Sequence, residues 1–185
     1  MRIIAGSLKG RTIKTLKGLI YRPATARIRE AIFSILGSYN LDWEKAFVID
    51  FFAGSGSLGI EALSRGAKEV WFVDKDRRAI NVIKENLTNF NISKERFRLI
   101  CADVFSFLKK KNFKKFDLIF IDPPYRKGLL KKFLKDLLKS DLLANDCLIF
   151  AEVEKELIDV SSEKLKVLTN KTYGQTRLYL WKITL

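Results

Sequence analysis

From residue 46 onwards, near-continuous apolar runs alternate with amphipathic segments, and this pattern limits the possible folds more than any other feature of the 185-residue chain. Such runs are typical of parallel strands buried on both faces, and the amphipathic segments provide the helices that cover them. The pattern predicts strands at 46–51, 69–73, 97–101, 116–121 and 146–152, and helices at 57–65, 77–89, 104–111 and 128–139. Segments 165–169 and 177–183 flank a short turn without an intervening helix, which predicts an antiparallel pair.

The first 40 residues follow a different pattern and carry much of the charge. Short β-prone pieces predict a small sheet or arm, and the spacing of apolar residues at 26–36 predicts a helix. Within residues 1–30, eight Lys or Arg residues oppose one Glu, so this segment contributes +7 of the formal net charge of +14. Concentrated positive charge favours a polyanionic partner. We therefore predict a single domain over 1–185, with a basic extension at 1–40 and an alternating α/β core at 41–185.

Composition excludes several classes of protein. The chain has no histidine, which excludes histidine-dependent nucleophiles and helical His-Glu zinc sites. Its two cysteines, Cys101 and Cys147, lie in strand-like runs and are expected to be buried free thiols in a reducing cytoplasm. No run of about 18 apolar residues occurs, and the start of the chain lacks the pattern of a signal peptide. We expect a cytoplasmic protein without a membrane partner.

A glycine-rich loop lies between the first predicted core strand and the helix after it. Residues 48–59 contain G-x-G-x-x-G, and Asp74 follows Gly54 by twenty residues. This context indicates nucleotide binding, because glycines allow a ligand to approach the backbone and a following acid can accept hydrogen bonds from ribose hydroxyls. Carboxylates lie at the ends of four successive strands, at Asp50, Asp74, Asp103 and Asp122. Four carboxylates suit a ligand with a sulfonium and an ammonium group, such as S-adenosylmethionine, better than a diphosphate.

The tetrapeptide Asp122-Pro123-Pro124-Tyr125 directly follows the predicted strand at 116–121. The amino group of a flat base is a poor nucleophile because its lone pair is delocalised into the ring. Hydrogen bonds accepted by Asp122 and by the Pro123 carbonyl would make that amine more reactive. The two prolines fix the turn, and Tyr125 could stack on the base. The tetrapeptide therefore predicts methylation of an amino group, although Asp-Pro also occurs in ordinary strand-to-helix turns.

Together, these motifs resemble those of a known group of enzymes. Asp122-Pro123-Pro124-Tyr125 and Asp50-x-Phe52-x-Gly54-x-Gly56 are similar to the Rossmann-like amino-methyltransferases that depend on S-adenosylmethionine. More narrowly, four further segments are similar to the bacterial 16S ribosomal RNA guanine-2-amino methyltransferases of the RsmD family, and this similarity covers essentially the whole chain. These segments are 2–6, Gly10-Arg11, 22–33 and 173–176. Ala5 and Ala26 differ from the glycine and aspartate usual in that family.

The resemblance implies an α/β fold, with a Rossmann-like seven-stranded, mostly parallel sheet, an antiparallel last strand and a small N-terminal β/helix extension. It implies an rRNA (guanine-N2-)-methyltransferase acting on 16S rRNA or the assembling small ribosomal subunit, with Asp122, Pro123, Pro124 and Tyr125 at the target base. We expect the enzyme to be a monomer that uses no metal. Implied cofactor-binding residues are Asp50, Phe51, Phe52, Ala53, Gly54, Gly56, Asp74, Lys75, Asp103 and Val104. Expected RNA-binding residues are Arg11, Arg22, Thr25, Arg27 and Arg29.

Two other functions compete with this interpretation. An adenine or cytosine amino-methyltransferase acting on DNA would need a region that reads a recognition sequence, and 185 residues leave little chain outside the core. A non-catalytic RNA-binding assembly module would not need the intact turn at 122–125. Both alternatives are therefore less favoured than RNA methylation.

Overall fold

The computed structural model describes residues 1–16, 26–111, 114–124, 128–154 and 162–184, and its central feature is a seven-stranded sheet. The strands are β1 (Phe47–Phe51), β2 (Glu69–Asp74), β3 (Phe97–Cys101), β4 (Phe116–Ile121), β5 (Leu143–Glu154), β6 (Leu165–Tyr173) and β7 (Thr176–Ile183). Their order is β3-β2-β1-β4-β5-β7-β6. Strands β1 to β5 pair in parallel, whereas β7 runs antiparallel to β5 and β6. The predicted fold class is confirmed.

Helices cover both faces of the sheet and form two hydrophobic cores. One face packs against α1 (Ala26–Gly37), α2 (Ser57–Ser64) and α3 (Arg77–Asn89), and the other against α4 (Val104–Leu108) and α5 (Leu129–Leu137). Alternation along each strand divides the side chains between the two cores, as when Val48 enters the first core and Ile49 the second. The chain reverses its direction of travel across the sheet between β1 and β4. Open parallel sheets bind ligands outside the carboxyl ends of their strands at such a point.

Most predicted elements agree with the structure within a few residues, and the exceptions have physical causes. The helix predicted at 104–111 ends at Leu108, because three consecutive lysines follow it and provide no apolar face. Cys101, predicted to be buried, is exposed because it ends β3 at the edge of the sheet; Cys147 is buried as predicted. The small N-terminal sheet is reduced, within the described residues, to one antiparallel bridge between Arg2 and Thr12.

The N-terminal segment at 1–16 is fastened to α2 and α3. Its apolar side chains Ile3, Leu8 and Ile13 enter the first core. The Glu61 carboxylate, on α2, accepts hydrogen bonds from the backbone N–H groups of Ile4 (2.8 Å) and Ala5 (2.9 Å). Further along, Lys14 N–H donates to the side chain of Asn86 on α3 at 2.8 Å. The basic extension is therefore part of the packed domain. None of the described helices is long and apolar enough to cross a membrane.

We expect Gly6→Ala to lower the free energy of unfolding by about 1–3 kcal/mol. Gly6 has a φ of +82°, and a Cβ atom there would lie 1.9 Å from the Ser64 carbonyl oxygen, a backbone atom of α2. Gly10→Ala is a matched control, because Gly10 also has a φ of +82° but a Cβ would meet nothing within 4 Å. Urea denaturation of both variants isolates the contact. Equal destabilisation by the two substitutions would show that docking on α2 contributes nothing.

Candidate active site

The loop between β1 and α2 is built for close backbone approach. Phe52 adopts a φ of +58°, an uncommon conformation for a non-glycine residue, and Gly54 and Gly56 have φ values of +54° and +74°. Gly59, in the first turn of α2, packs against Phe72, because a Cβ there would lie 2.3 Å from the Phe72 ring. The first two glycines therefore shape the loop, whereas the third lets α2 pack tightly on the sheet.

Two buried carboxylates hold this loop. Asp50, 2% exposed, accepts a hydrogen bond from Gly59 N–H at 3.0 Å. Asp74 is equally buried; one oxygen accepts from Gly54 N–H at 2.9 Å and the other from Asp76 N–H at 2.8 Å. Burial raises the pKa of Asp50 well above its ordinary value, and the negative charges of Asp122 and Asp74 raise it further. The sequence did not predict these contacts to the loop's own backbone.

The other predicted cofactor residues differ in exposure. Asp103 and Lys75 are exposed, and Asp103 caps α4 by accepting from Ser106 N–H at 3.0 Å. Val104 is 4% exposed. Phe51 is fully buried, and its ring lies 4.9 Å from that of Phe133. The structure therefore corrects the prediction for the Phe51 side chain, which belongs to the second core. The signal was in the sequence: this phenylalanine continues the apolar alternation of β1.

Asp122 follows the last residue of β4 at the carboxyl edge of the sheet. It is partly buried, Pro123 is buried and Pro124 is exposed. Burial raises the pKa of Asp122 from its ordinary 3.8 to about 7. The predicted partner Tyr125 lies outside the described residues. Because β4 is the neighbour of β1, the Asp122 turn and the glycine-rich loop lie beside each other at the switch point.

A further carboxylate, Glu152, lies on β5 and was not predicted from the sequence. It is 3% exposed, and burial and the charge of Asp122 raise its pKa to about 8. The signal that could have found it is the strand pattern, because an acid follows the apolar run 148–151 just as Asp122 follows 116–121. Among the described residues, no group of three or more His, Cys, Asp or Glu side chains could hold a metal ion.

The predicted RNA-binding arginines have different surroundings. Arg11 is exposed and donates to the Asn89 carbonyl at 3.0 Å, at the end of α3, and Arg27 is exposed at the start of α1. Arg22 and Thr25 lie outside the described residues. Both side chains lie on the surface of the domain, and their contact with RNA stays a prediction.

The prediction that Arg29 contacts RNA is wrong, because this side chain is fully buried. Its Nη2 donates to the Arg2 carbonyl at 2.8 Å, and Nη1 lies 4.0 Å from Glu61 Oε2. Burial lowers the pKa of Arg29, and the charge of Glu61 opposes that shift. Arg29 therefore joins α1 to the N-terminal segment and to α2, and reaches no surface phosphate. Its position on the apolar face of the predicted helix was the available sequence signal.

Comparison with known proteins identifies the family. Residues 1–182 match the family described as Conserved hypothetical protein 95. The chain is 37% identical over 182 residues to Ribosomal RNA small subunit methyltransferase D of Haemophilus influenzae, covering 97% of this chain and 93% of that protein. The solved structure of yhhF from Escherichia coli is 33% identical, with a TM-score of 0.87 over 99% of this chain and 97% of that one. The chain belongs to the RsmD family.

The fold of this RsmD-family chain is that of the Rossmann-like methyltransferases that depend on S-adenosylmethionine. SMU.776, solved in complex with SAH, is 17% identical and has a TM-score of 0.66, which is a likeness of fold. The donor set in the present chain fits such a cofactor. Burial raises the pKa of Asp50, the negative charges of Asp122 and Asp74 raise it further, and a cationic ligand beside the loop would relieve that repulsion.

Proposed function

We propose that this protein transfers a methyl group from S-adenosylmethionine to the 2-amino group of a guanine in 16S ribosomal RNA of the small subunit. The observation that carries the proposal is the position of Asp122 and Pro123, which directly follow β4 beside the glycine-rich loop that follows β1. Family membership supports ribosomal RNA as the substrate. We further propose that the protein acts as a cytoplasmic monomer.

The cofactor would be held by the loop and by the acids around it. Gly54 and Gly56 let the cofactor approach the backbone of the loop closely. Asp103 is exposed and accepts one hydrogen bond at the start of α4, so its carboxylate can accept further hydrogen bonds from the cofactor. The negative charge of Asp50 and Asp74 would attract the ammonium and sulfonium groups. When bound, S-adenosylmethionine supplies an electrophilic methyl group and leaves as S-adenosylhomocysteine.

The turn after β4 would activate the amine. The Asp122 carboxylate and the Pro123 carbonyl would each accept one hydrogen bond from the two amino hydrogens, which makes the nitrogen lone pair available. The new bond joins that nitrogen to the methyl carbon, and the electrons of the broken carbon–sulfur bond go to sulfur. Asp122 then takes one of the two hydrogens as a proton. Tyr125 would stack on the target base.

The basic extension would hold the RNA. Arg11 and Arg27 present exposed charges on the described surface, and Arg22 and Thr25 complete the proposed set of contacts. Arg29 contributes indirectly by fixing α1 against the N-terminal segment. Phosphate contacts of this kind provide affinity that falls steeply as the salt concentration rises.

The kcat/KM for methyl transfer is expected to fall as the pH is lowered through about 7. The pKa of Asp122 is raised to about 7 by burial, and the ionised carboxylate is the form that accepts the amine hydrogen. Below that pH, kcat/KM should fall about tenfold per unit. Initial rates between pH 5.5 and 9 test this expectation. Asp122→Asn keeps an acceptor oxygen that does not titrate, so the remaining activity of this variant should not decline at low pH. The same pH profile in the wild-type protein and in Asp122→Asn would contradict the role of the Asp122 carboxylate.

The test of the proposed function is nucleoside analysis of 16S rRNA from a strain that lacks this gene. We expect the rRNA to lose one N2-methylguanosine, and the purified protein to restore it on small subunits from that strain. Label on adenine, cytosine or duplex DNA instead would overturn the proposal. A full complement of methylated guanine in the deletion strain would overturn it as well.

A further inference from the structure

Glu152 stands beside Asp122 at the carboxyl edge of the sheet. The register of β4 and β5 pairs Phe120 with Phe150 and Ile121 with Ala151, so the next residues of the two parallel strands are Asp122 and Glu152. Phe120 and Phe150 enter the first core, and alternation directs Glu152 to the same face. On its other side, Glu152 pairs with Leu178 of β7, which fixes its backbone within the sheet.

Within the part of the chain that the structure describes, no basic side chain forms an ion pair with Glu152. Among the described residues, its Oε2 atom has no hydrogen-bond partner, although it is fully shielded from solvent. The nearest basic residue in the register is Arg177, which pairs with Val153 and therefore faces the second core. Burial and the neighbouring charge of Asp122 raise the pKa of Glu152. Buried acceptors without a partner are rare and costly, and a bound ligand can satisfy them.

We propose that Glu152 determines specificity for guanine by accepting a hydrogen bond from the ring N1–H of the target base, while Asp122 accepts from the adjacent 2-amino group. This inference rests on the proposed function. Guanine has two neighbouring donors on its Watson–Crick edge, N1–H and the 2-amino group, and two neighbouring carboxylates match them. Adenine and cytosine have an acceptor nitrogen beside their amino group, and its lone pair would face a carboxylate.

The geometry also explains why two acids lie side by side without a basic partner among the described residues. Two buried carboxylates repel each other in the free protein, and this repulsion is relieved when each receives a hydrogen from the base. A base with one donor satisfies only one of them and leaves the other buried and unpaired. Sites built to bond a particular donor reject an analogue that lacks it more strongly than apolar sites do.

The test compares two RNA substrates that share the 2-amino group and differ at N1 and C6 of the base. Small-subunit RNA carries either guanosine or 2-aminopurine riboside at the mapped target; both have the 2-amino group, but 2-aminopurine has no N1–H. Single-turnover transfer is measured at pH 8.5, above the pKa of both carboxyls, with the wild-type protein, Glu152→Ala, Glu152→Gln and Asp122→Ala. Thermal unfolding of each variant at the same pH verifies folding.

We expect the wild-type protein to methylate guanine about 10- to 100-fold faster than 2-aminopurine, which is the effect of one hydrogen bond to a charged group. Glu152→Ala should slow transfer to guanine by a similar factor and should not slow transfer to 2-aminopurine, whose N1 lone pair no longer faces a carboxylate. Glu152→Gln keeps one acceptor oxygen and should retain much of the guanine rate, whereas Asp122→Ala should slow both substrates.

Equal slowing of both substrates by Glu152→Ala would show a merely structural role and overturn the inference, as would no change in either rate. Failure of the proposed function itself would give a different result. In that case the wild-type protein transfers no methyl group to the guanosine RNA, and the inference falls with it.

Discussion

Replacement of Asp122 by alanine is expected to lower kcat for methyl transfer about 10²- to 10³-fold, the loss found when one preorganised polar group is removed from a developing charge. Asp122 lies at the end of β4, beside the loop proposed to hold the cofactor, and is the acidic member of the 122–125 turn. The amine becomes positively charged as the new bond forms, so the carboxylate acts most strongly in the transition state. Cofactor affinity should change little, as isothermal titration calorimetry can measure.

Stability provides an independent readout for the same variant. The folded-state pKa of Asp122 is raised above its ordinary value of 3.8, so the folded protein binds this proton more tightly than the unfolded chain. Its contribution to stability is therefore present at low pH and is lost as pH rises through about 7. Asp122→Ala lacks that loss, and its stability relative to wild type should increase from pH 5 to pH 8. Asp141→Ala, which removes an exposed carboxylate, is the matched control. An unchanged kcat in Asp122→Ala would contradict the catalytic role of Asp122.

Replacement of Glu61 by alanine is expected to have the largest effect on stability, about 3–5 kcal/mol, because it leaves a buried charge without its partner. Glu61 is fully buried on α2 and is an ion-pair partner of two arginines. Its carboxylate lies 4.0 Å from Arg29 and 3.1 Å from Arg65. The same two oxygens receive the backbone hydrogens of Ile4 and Ala5, so the substitution also releases the N-terminal segment.

The measurement is denaturant unfolding together with limited proteolysis near the N-terminus. Glu44→Ala removes an exposed carboxylate and should change stability by less than about 0.5 kcal/mol. Glu61→Gln keeps one acceptor oxygen and should lie between the two. A loss below about 1 kcal/mol for Glu61→Ala would show that the buried Arg29 finds compensation elsewhere.

The architecture could be predicted because the signals are periodic and local. Buried parallel strands read as apolar runs, and α3 shows a single apolar stripe that includes Ile80, Ile83 and Leu87. The positions of Asp50, Asp74, Asp103 and Asp122 followed from strand ends alone. Their detailed contacts did not, because Asp50 and Asp74 bond to backbone groups 9 and 20 residues away, respectively, and only the fold brings those groups together.

Residues whose role depends on long-range packing were missed or misjudged. In the sequence, Arg29 is one more charge in a basic segment. Its partner Glu61 lies 32 residues further along the chain (61 − 29), in a helix with no other charged residue. Glu152 is adjacent to Asp122 through strand pairing, which connects positions 30 residues apart (152 − 122). The sequence shows that basic residues are concentrated near the N-terminus, but it does not show which of their side chains are exposed to solvent, because that depends on packing in the folded protein.

The short helix α2 connects two parts of the molecule that sequence analysis treats separately. Its first residues form the end of the glycine-rich loop, where Gly59 is bonded to Asp50, and its last residues hold the N-terminal segment through Glu61 and Ser64. These eight residues span about 12 Å at 1.5 Å per residue. The helix is thus a rigid connection between residues 1–16 and the glycine-rich loop. A nucleic acid bound by that part of the basic extension would lie at a fixed distance from the methyl donor.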